Sequence, residues 1–322
     1  MKKSILRLVD LLFLMRPILL VPVWGFSFFG YYRAKTDSLR EITNLWNSSS
    51  LPVCFLLFVF SLSVGAVYIF NQIADIEVDK KNGGLPLLAS GIVKRNDALF
   101  FAFLLSGISI IAPLFTEYKM ISLLSLLALI IGLLYSFKPF YFSGKPFCDF
   151  LSNALGYGVI AFGAGWICGG KAVIETVFFN SALPYFFLMC AGSISSTLPD
   201  RAGDYSEQKN TTAVVFGNKK AHLIATFLLF NAAVAAIIGG DFLALICSAA
   251  PFPFYLCYIF KPTEFFMEST YKIGGAMTML CSGLIIPLLI PAGIIVFFIT
   301  WLYFRLRHGV SYPSLITVRE DV

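Results

Sequence analysis

The chain has 322 residues, of which 58% are hydrophobic and 13% charged, with a mean hydropathy of +0.82. That composition excludes a soluble protein and marks an integral membrane protein. The 24 Lys and Arg against 18 Asp and Glu leave a net charge of +6; the basic residues gather at the ends of apolar segments, where they set membrane orientation and do not form a nucleic-acid surface.

A spanning helix takes about 20 apolar residues, and nine segments qualify, near 11–33, 52–72, 96–115, 119–138, 150–169, 177–199, 220–239, 241–260 and 281–304. The opening MKKSILRLVDLLFLMRPILL pairs a positive region with an apolar one, as a signal peptide does. No small-residue cleavage site follows, so it reads as a retained first helix running to about Tyr32. The stretch 274–304 carries Pro287 and Pro291 and is expected to hold a short lead-in helix and a kinked span. Seven scattered cysteines form no CxxC or Cys/His cluster and read as small buried apolar residues. The whole chain, 1–322, is expected to be one all-α domain: about nine transmembrane helices in one bundle, with a central apolar cavity and a polar cytoplasmic cap.

With nine spans, sixteen Lys and Arg fall on the side of the N-terminal tail and the loops after spans two, four, six and eight, and eight on the other. The positive-inside rule then predicts the N-terminus inside and the C-terminus outside. Two acidic motifs share the cytoplasmic face. NQIADIEVD closes span two with Asn71, Asp75 and Asp79, and PDRAGD closes span six with Asp200 and Asp204. Spacings of four place each set on one helix face, with Glu77 on another. Carboxylates at a membrane mouth are costly to desolvate and mark function. Together they make an oxygen-donor set for Mg²⁺, which is usually shared between one or two carboxylates and substrate phosphates. A prenyl diphosphate supplies the matching chemistry, its anionic head at the mouth and its tail in the apolar bundle. Candidate phosphate contacts are Lys80, Lys81, Lys138, Lys145, Arg201 and Lys209. Tyr135, at the end of span four, belongs either to an aromatic belt or to the site, where its ring would face an allylic cation or its hydroxyl a phosphate. Arg16 either snorkels to the interface or reaches the same mouth, with snorkelling slightly favoured.

On these motifs the chain resembles the UbiA superfamily of intramembrane prenyltransferases. The family's first signature, Asn with Asp at four and eight positions on, is matched by Asn71, Asp75 and Asp79. Its second is matched by Asp200, Asp204 and the following KNTTAVVFGNKKA; LPLLASG supplies Pro86, Ser90 and Gly91, and Tyr135-Ser136 matches the end of the fourth helix. Departures are Gln72 where many members have Asp, and Leu85 where many have Arg.

The resemblance implies a nine-helix fold and Mg²⁺-dependent prenyl transfer, with Asp75, Asp79, Asp200, Asp204 and Tyr135 catalytic. The metal site would be Asn71, Asp75, Asp79, Asp200 and Asp204. Diphosphate contacts would come from Asn71, Arg16, Lys81, Lys138, Lys145, Arg201 and Lys209. The expected partners are a prenyl diphosphate, an aromatic or lipid acceptor, as in quinone or other prenylated-lipid biosynthesis, and the bilayer, with no nucleic acid and no obligate protein partner. A terpene cyclase of the same superfamily is the alternative. An ion-coupled transporter is more remote, because its charges belong near the bilayer midplane, where these spans are nearly empty.

Overall fold

The computed structural model describes residues 2–36, 39–45, 50–82, 84–173 and 175–313. Among them the regular structure is entirely helical. Ten helices of 17 to 27 residues build the bundle: α2 (Pro17–Lys35), α3 (Leu51–Ala74), α5 (Arg95–Ile111), α6 (Met120–Ser136), α7 (Cys148–Cys168), α8 (Thr176–Thr197), α10 (Thr212–Ile238), α11 (Phe242–Phe260), α12 (Glu264–Ile285) and α13 (Leu289–His308). Seven of these helices are long and apolar enough to cross a membrane. Shorter helices α1 (Lys2–Leu14), α4 (Ile76–Asn82) and α9 (Arg201–Ser206) lie at the end of the bundle that carries the acidic motifs.

Helix boundaries follow local chemistry. Pro17 opens α2, where a missing amide hydrogen costs nothing. Thr211, Asp241 and Thr263 cap α10, α11 and α12 by accepting from the amides of Val214, Ala244 and Phe266. The closest crossing joins α2 to α7: a Cβ on Gly30 would lie 1.8 Å from the Phe162 carbonyl oxygen, and one on Gly165 1.6 Å from that of Ser27. Small residues allow such backbone approach where apolar side chains gain nothing from leaving lipid. At the far end, Arg33 approaches Asp241 at 3.4 Å and donates to the Gly239 carbonyl at 3.0 Å, while Tyr185 donates to Asp241 at 2.9 Å. This buried set ties α2 and α8 to the α10–α11 turn. Helix α3 is central, 67% of its apolar window buried, whereas α13 is peripheral at 28%.

Three expectations change. The first helix is not continuous over 11–33: it breaks at Arg16, whose φ of 50° is left-handed, so α1 and α2 are separate. The segment 261–273, read as a connection, is largely the first half of α12, which continues through the expected lead-in helix; its Glu264, Glu268 and Lys272 lower its apolarity without preventing a helix. The long helix this adds brings the C-terminal end of α13 back to α1, where Arg307 donates to both carboxylate oxygens of Asp10 at 2.6 Å. The two ends of the described chain therefore share the motif-bearing end and do not lie on opposite faces. Arg305 and Arg307 accordingly join the basic excess there.

Candidate active site

The first motif begins in the last turn of α3 and ends in α4. Asp75 sits at the end of α3, its backbone at φ −95° and ψ 6°, and Asn71 Nδ2 donates to Asp75 Oδ2 at 3.2 Å and toward Ser136 Oγ at 3.4 Å. Asp79 follows on α4, packed so closely on Gly84 that a Cβ there would lie 2.3 Å from Asp79 Oδ1. Glu77 is exposed and paired with Lys80 at 2.9 Å. The second motif opens α9: Asp200 precedes its first residue and is exposed, while Asp204 is half-buried and accepts from Thr211 at 3.2 Å.

Electrostatics joins the motifs. Burial pushes the Asp75 carboxyl above its ordinary value, Asp79 and Glu207 add to the rise, and Lys209 and Arg16 offset part of it. Burial likewise raises Asp79, opposed by Arg16 and Lys209 and reinforced by Glu207. Asp204 is raised by burial against Lys209 and Thr211. Lys209 lies 2.7 Å from Glu207 and 3.5 Å from Asp204, and these partners hold its ammonium charged despite burial. The mouth thus sets the carboxylates of Asp75, Asp79, Asp204 and Glu207 against two cations, Arg16 and Lys209.

Such an excess of carboxylate favours a hard cation, and the donors are all oxygen, which fits Mg²⁺. Among the described residues no three carboxylates converge into a closed cage. An open donor set suits a metal completed by substrate phosphates.

Below the mouth lies a cavity of about 230 Å³. Val23, Val64, Val67, Ala128, Ile131 and Ala161 supply its apolar wall, and Arg16, Asn71, Tyr135 and Asn153 stand among its polar groups. Arg16 therefore reaches the mouth and does not snorkel away; its left-handed backbone turns the side chain inward at the α1–α2 break. Tyr135 lines the cavity beside Asn153. Sequence reasoning missed Tyr68 and Tyr157, whose hydroxyls meet at 2.5 Å on the wall. Tyr157 belongs to a π-helical segment of α7, Leu155–Ala161, a distortion frequent at functional sites. It also missed Glu207 and Asp149. The buried Asp149 carboxylate accepts from the Thr212 amide at 2.7 Å and hydroxyl at 2.6 Å, fixing the start of α7 against that of α10.

Among the described residues, Lys138, Lys145 and Arg201 enter no ion pair with these carboxylates. Lys138 and Lys145 are exposed, and Lys145 donates to the Pro139 carbonyl at 3.4 Å. Arg201 lines a different cavity on the other flank of α9. The Lys81 side chain is outside the described residues.

The sequence model of the UbiA prenyltransferase family matches residues 42–269. A probable homogentisate phytyltransferase 2, chloroplastic, of Oryza sativa subsp. japonica is 31% identical over 183 residues, 54% of this chain and 47% of that one. A digeranylgeranylglyceryl phosphate synthase of Sulfolobus acidocaldarius is 31% identical over 183 residues, 55% of this chain and 62% of that one. The match thus spans about half the first relative's length and less than two thirds of the second's. Among solved structures, a UbiA homologue from Archaeoglobus fulgidus bound to DMAPP and Mg²⁺ is similar with a TM-score of 0.64 at 20% identity, covering 89% of this chain and 98% of that one. The apo UbiA homologue from Aeropyrum pernix K1 gives 0.56 at 20% identity over 85% and 97%. These structures establish the fold. With most of its length matched by the family's sequence model and its bundle superposing on those homologues, this multi-pass membrane protein belongs to the UbiA prenyltransferase family.

Proposed function

We propose that this chain transfers a prenyl group from a prenyl diphosphate to an aromatic or lipid acceptor within the membrane, with Mg²⁺ as cofactor. The observation that carries the reading is the junction of an apolar cavity with a mouth of four carboxylates and two cations, the complement of an amphiphile with a metal-bridged anionic head. The A. fulgidus homologue bound to DMAPP and Mg²⁺ supports the donor and the metal. The names of the rice and Sulfolobus relatives support an aromatic and a lipid acceptor respectively.

Asp75, Asp79 and Asp204, with Asn71 beside Asp75 and Asp200 at the start of α9, would hold Mg²⁺, which would supply neutralisation of the charge that develops on the departing diphosphate. Arg16 and Lys209 add fixed positive charge to the same mouth, a preorganised contribution that requires no reorganisation during reaction. The aliphatic wall keeps water from the carbon that loses the diphosphate. The rings of Tyr68, Tyr135 and Tyr157 border that space, where aromatic faces favour an allylic cation. The acceptor captures that carbon and gives up its proton. The basic residues that flank the mouth support a cytoplasmic position for it.

The test is incubation of purified protein with Mg²⁺ and radiolabelled prenyl diphosphates of several lengths, with and without a membrane-lipid extract and a phenolic acceptor. Acceptor-dependent labelling is the expected result. Cyclic hydrocarbon as the sole product would replace transfer by cyclisation, and absence of diphosphate release under every condition would overturn the reading.

A further inference from the structure

We propose that the chain carries a second ligand site, for a lipid phosphate headgroup, in the cavity of about 360 Å³ where Arg201 and Asn218 meet on the outer flank of α9. The site is distinct from the acidic mouth, since its lining shares no residue with that of the central cavity.

Its walls are Leu198 and Pro199 at the end of α8, Ala202 on α9 and Met267 near the start of α12; its polar groups are Arg201, Tyr205 and Asn218. Arg201 stands between the two aspartates of the second motif in sequence and three residues before Asp204 on α9, yet the two side chains meet different neighbours. Asp204 meets Thr211 and Lys209, whereas Arg201 Nη2 lies 4.0 Å from where a Cβ on Gly217 would be. Among the described residues Arg201 enters no ion pair. The facing wall is opened by a break in α10: Gly217 has φ 75° and ψ 158°, a conformation reserved for glycine, and the helix restarts at Asn218. Asn218 Oδ1 is buried with no hydrogen-bond partner, while the same side chain bonds the Tyr258 hydroxyl. A buried acceptor left unpaired costs about 1–3 kcal/mol unless a ligand donor fills it.

These groups define the ligand. A guanidinium without a carboxylate partner takes a phosphate through two parallel hydrogen bonds, and the unpaired Asn218 oxygen takes a hydroxyl or ammonium hydrogen from the rest of the headgroup. Leu198, Pro199 and Met267 take the first carbons of a chain. Exposed Lys219 and Lys220, which follow Asn218 in sequence, add attraction for an anionic surface. The match is a phosphodiester lipid bearing a headgroup hydroxyl, of the phosphatidylglycerol kind. A bound headgroup would steady α9, and with it Asp200 and Asp204, so bilayer composition would reach the acidic mouth through Arg201.

The test uses the full chain in detergent, equilibrated with mixed micelles of equal phosphatidylglycerol and phosphatidylcholine, with retained lipid counted by native mass spectrometry. Wild type should retain phosphatidylglycerol in roughly tenfold preference. Arg201→Gln should erase the preference. Ala202→Phe should erase it by filling the cavity with the charge intact, and since Ala202 is exposed this variant folds normally. If millimolar inorganic phosphate displaces the lipid in an Arg201-dependent way, the anion site stands and a free phosphate is a second source of its ligand. Equal retention of both lipids by wild type, or phosphatidylglycerol preference unchanged in both variants, would overturn the proposal. None of these readouts depends on prenyl transfer.

Discussion

Gln72 donates from Nε2 to the main-chain carbonyl of Leu14 at 2.7 Å. That carbonyl is free because α1 ends there, and the bond crosses the break from which Arg16 turns into the mouth. Gln72 is 3% exposed and also donates to the Tyr68 carbonyl at 3.1 Å. Neighbouring positions on α3 therefore divide the work, with Asn71 facing the cavity and Gln72 facing α1.

Replacing Gln72 by Leu leaves the Leu14 carbonyl unpaired, at a cost of about 1–3 kcal/mol, and loosens the turn at Arg16. We expect the KM for prenyl diphosphate to rise by roughly tenfold or more, with kcat less affected. A double-mutant cycle checks the route: in an Arg16→Gln background the same change should add little. Fully additive losses would show that Gln72 acts on the fold at large and not through Arg16.

The raised carboxyls give a signed pH prediction. Asp75, Asp79 and Asp204 each titrate above their ordinary value in the folded chain. Metal-free stability from these groups is therefore fully present below about pH 3.9 and falls as pH rises through the folded values. Mg²⁺ displaces the same protons, so its affinity runs the opposite way, by up to about tenfold per pH unit for each proton released. Melting curves with and without MgCl₂ across the acidic range should show stabilisation by Mg²⁺ growing with pH. Asp75→Asn should flatten that growth, and a Mg²⁺ shift equal at every pH would count against metal binding by these carboxylates.

How much of this was legible in the sequence depends on the kind of signal. Asn71, Asp75 and Asp79 stand out because charge is rare in these spans and their spacing of four is a helix period, which also turned Glu77 outward. Gln72 gave no such signal, since its role depends on a carbonyl 58 positions earlier. Arg16 was ambiguous because sequence does not reveal a left-handed break inside an apolar run. Lys138 and Lys145 looked equivalent to Lys209, as all three flank the same face. Which one meets the carboxylates is decided by loop packing, where the Asn210 amide donates to the Gly144 carbonyl at 3.0 Å and seats the Lys209 loop against the segment after α6. Helix α12 was hidden by its polar first turns, because a hydropathy window weighs charge and ignores the Thr263 cap that starts the helix.

The crossing of α2 and α7 should tolerate no side chain. Gly165→Val would drive a methyl group into the Ser27 carbonyl, and we expect at least about 3 kcal/mol of destabilisation, since neither backbone has room to retreat. Gly107, in α5, meets nothing within 4 Å of an added Cβ, and Gly107→Ala should be neutral or slightly stabilising by helix propensity. Thermal unfolding in one detergent, with monodispersity by size exclusion, compares the two. Equal behaviour of both variants would remove the case for close packing at this seam.

The three lysines on the mouth side can be separated by charge removal. Lys209 bridges Glu207 and Asp204 and acts electrostatically on Asp75 and Asp79, so Lys209→Met deprives the mouth of one of its two cations and leaves its carboxylates less balanced. Two effects follow. Diphosphate departure loses a preorganised positive charge, which should lower kcat/KM by roughly 100-fold. The carboxyls lose an attractive partner, so each should titrate still higher and the pH at which Mg²⁺ stabilises the protein should move upward. Lys138→Met and Lys145→Met, both on exposed side chains, should change kcat/KM by less than about twofold, within the range of exposed charge contributions. Prenyl-transfer kinetics on the three variants, with the Mg²⁺ melting series on Lys209→Met, decide the matter. If Lys145→Met or Lys138→Met is the crippled variant, the segment after α6 holds the diphosphate, and Lys209 only ties α9 to the loop that follows it.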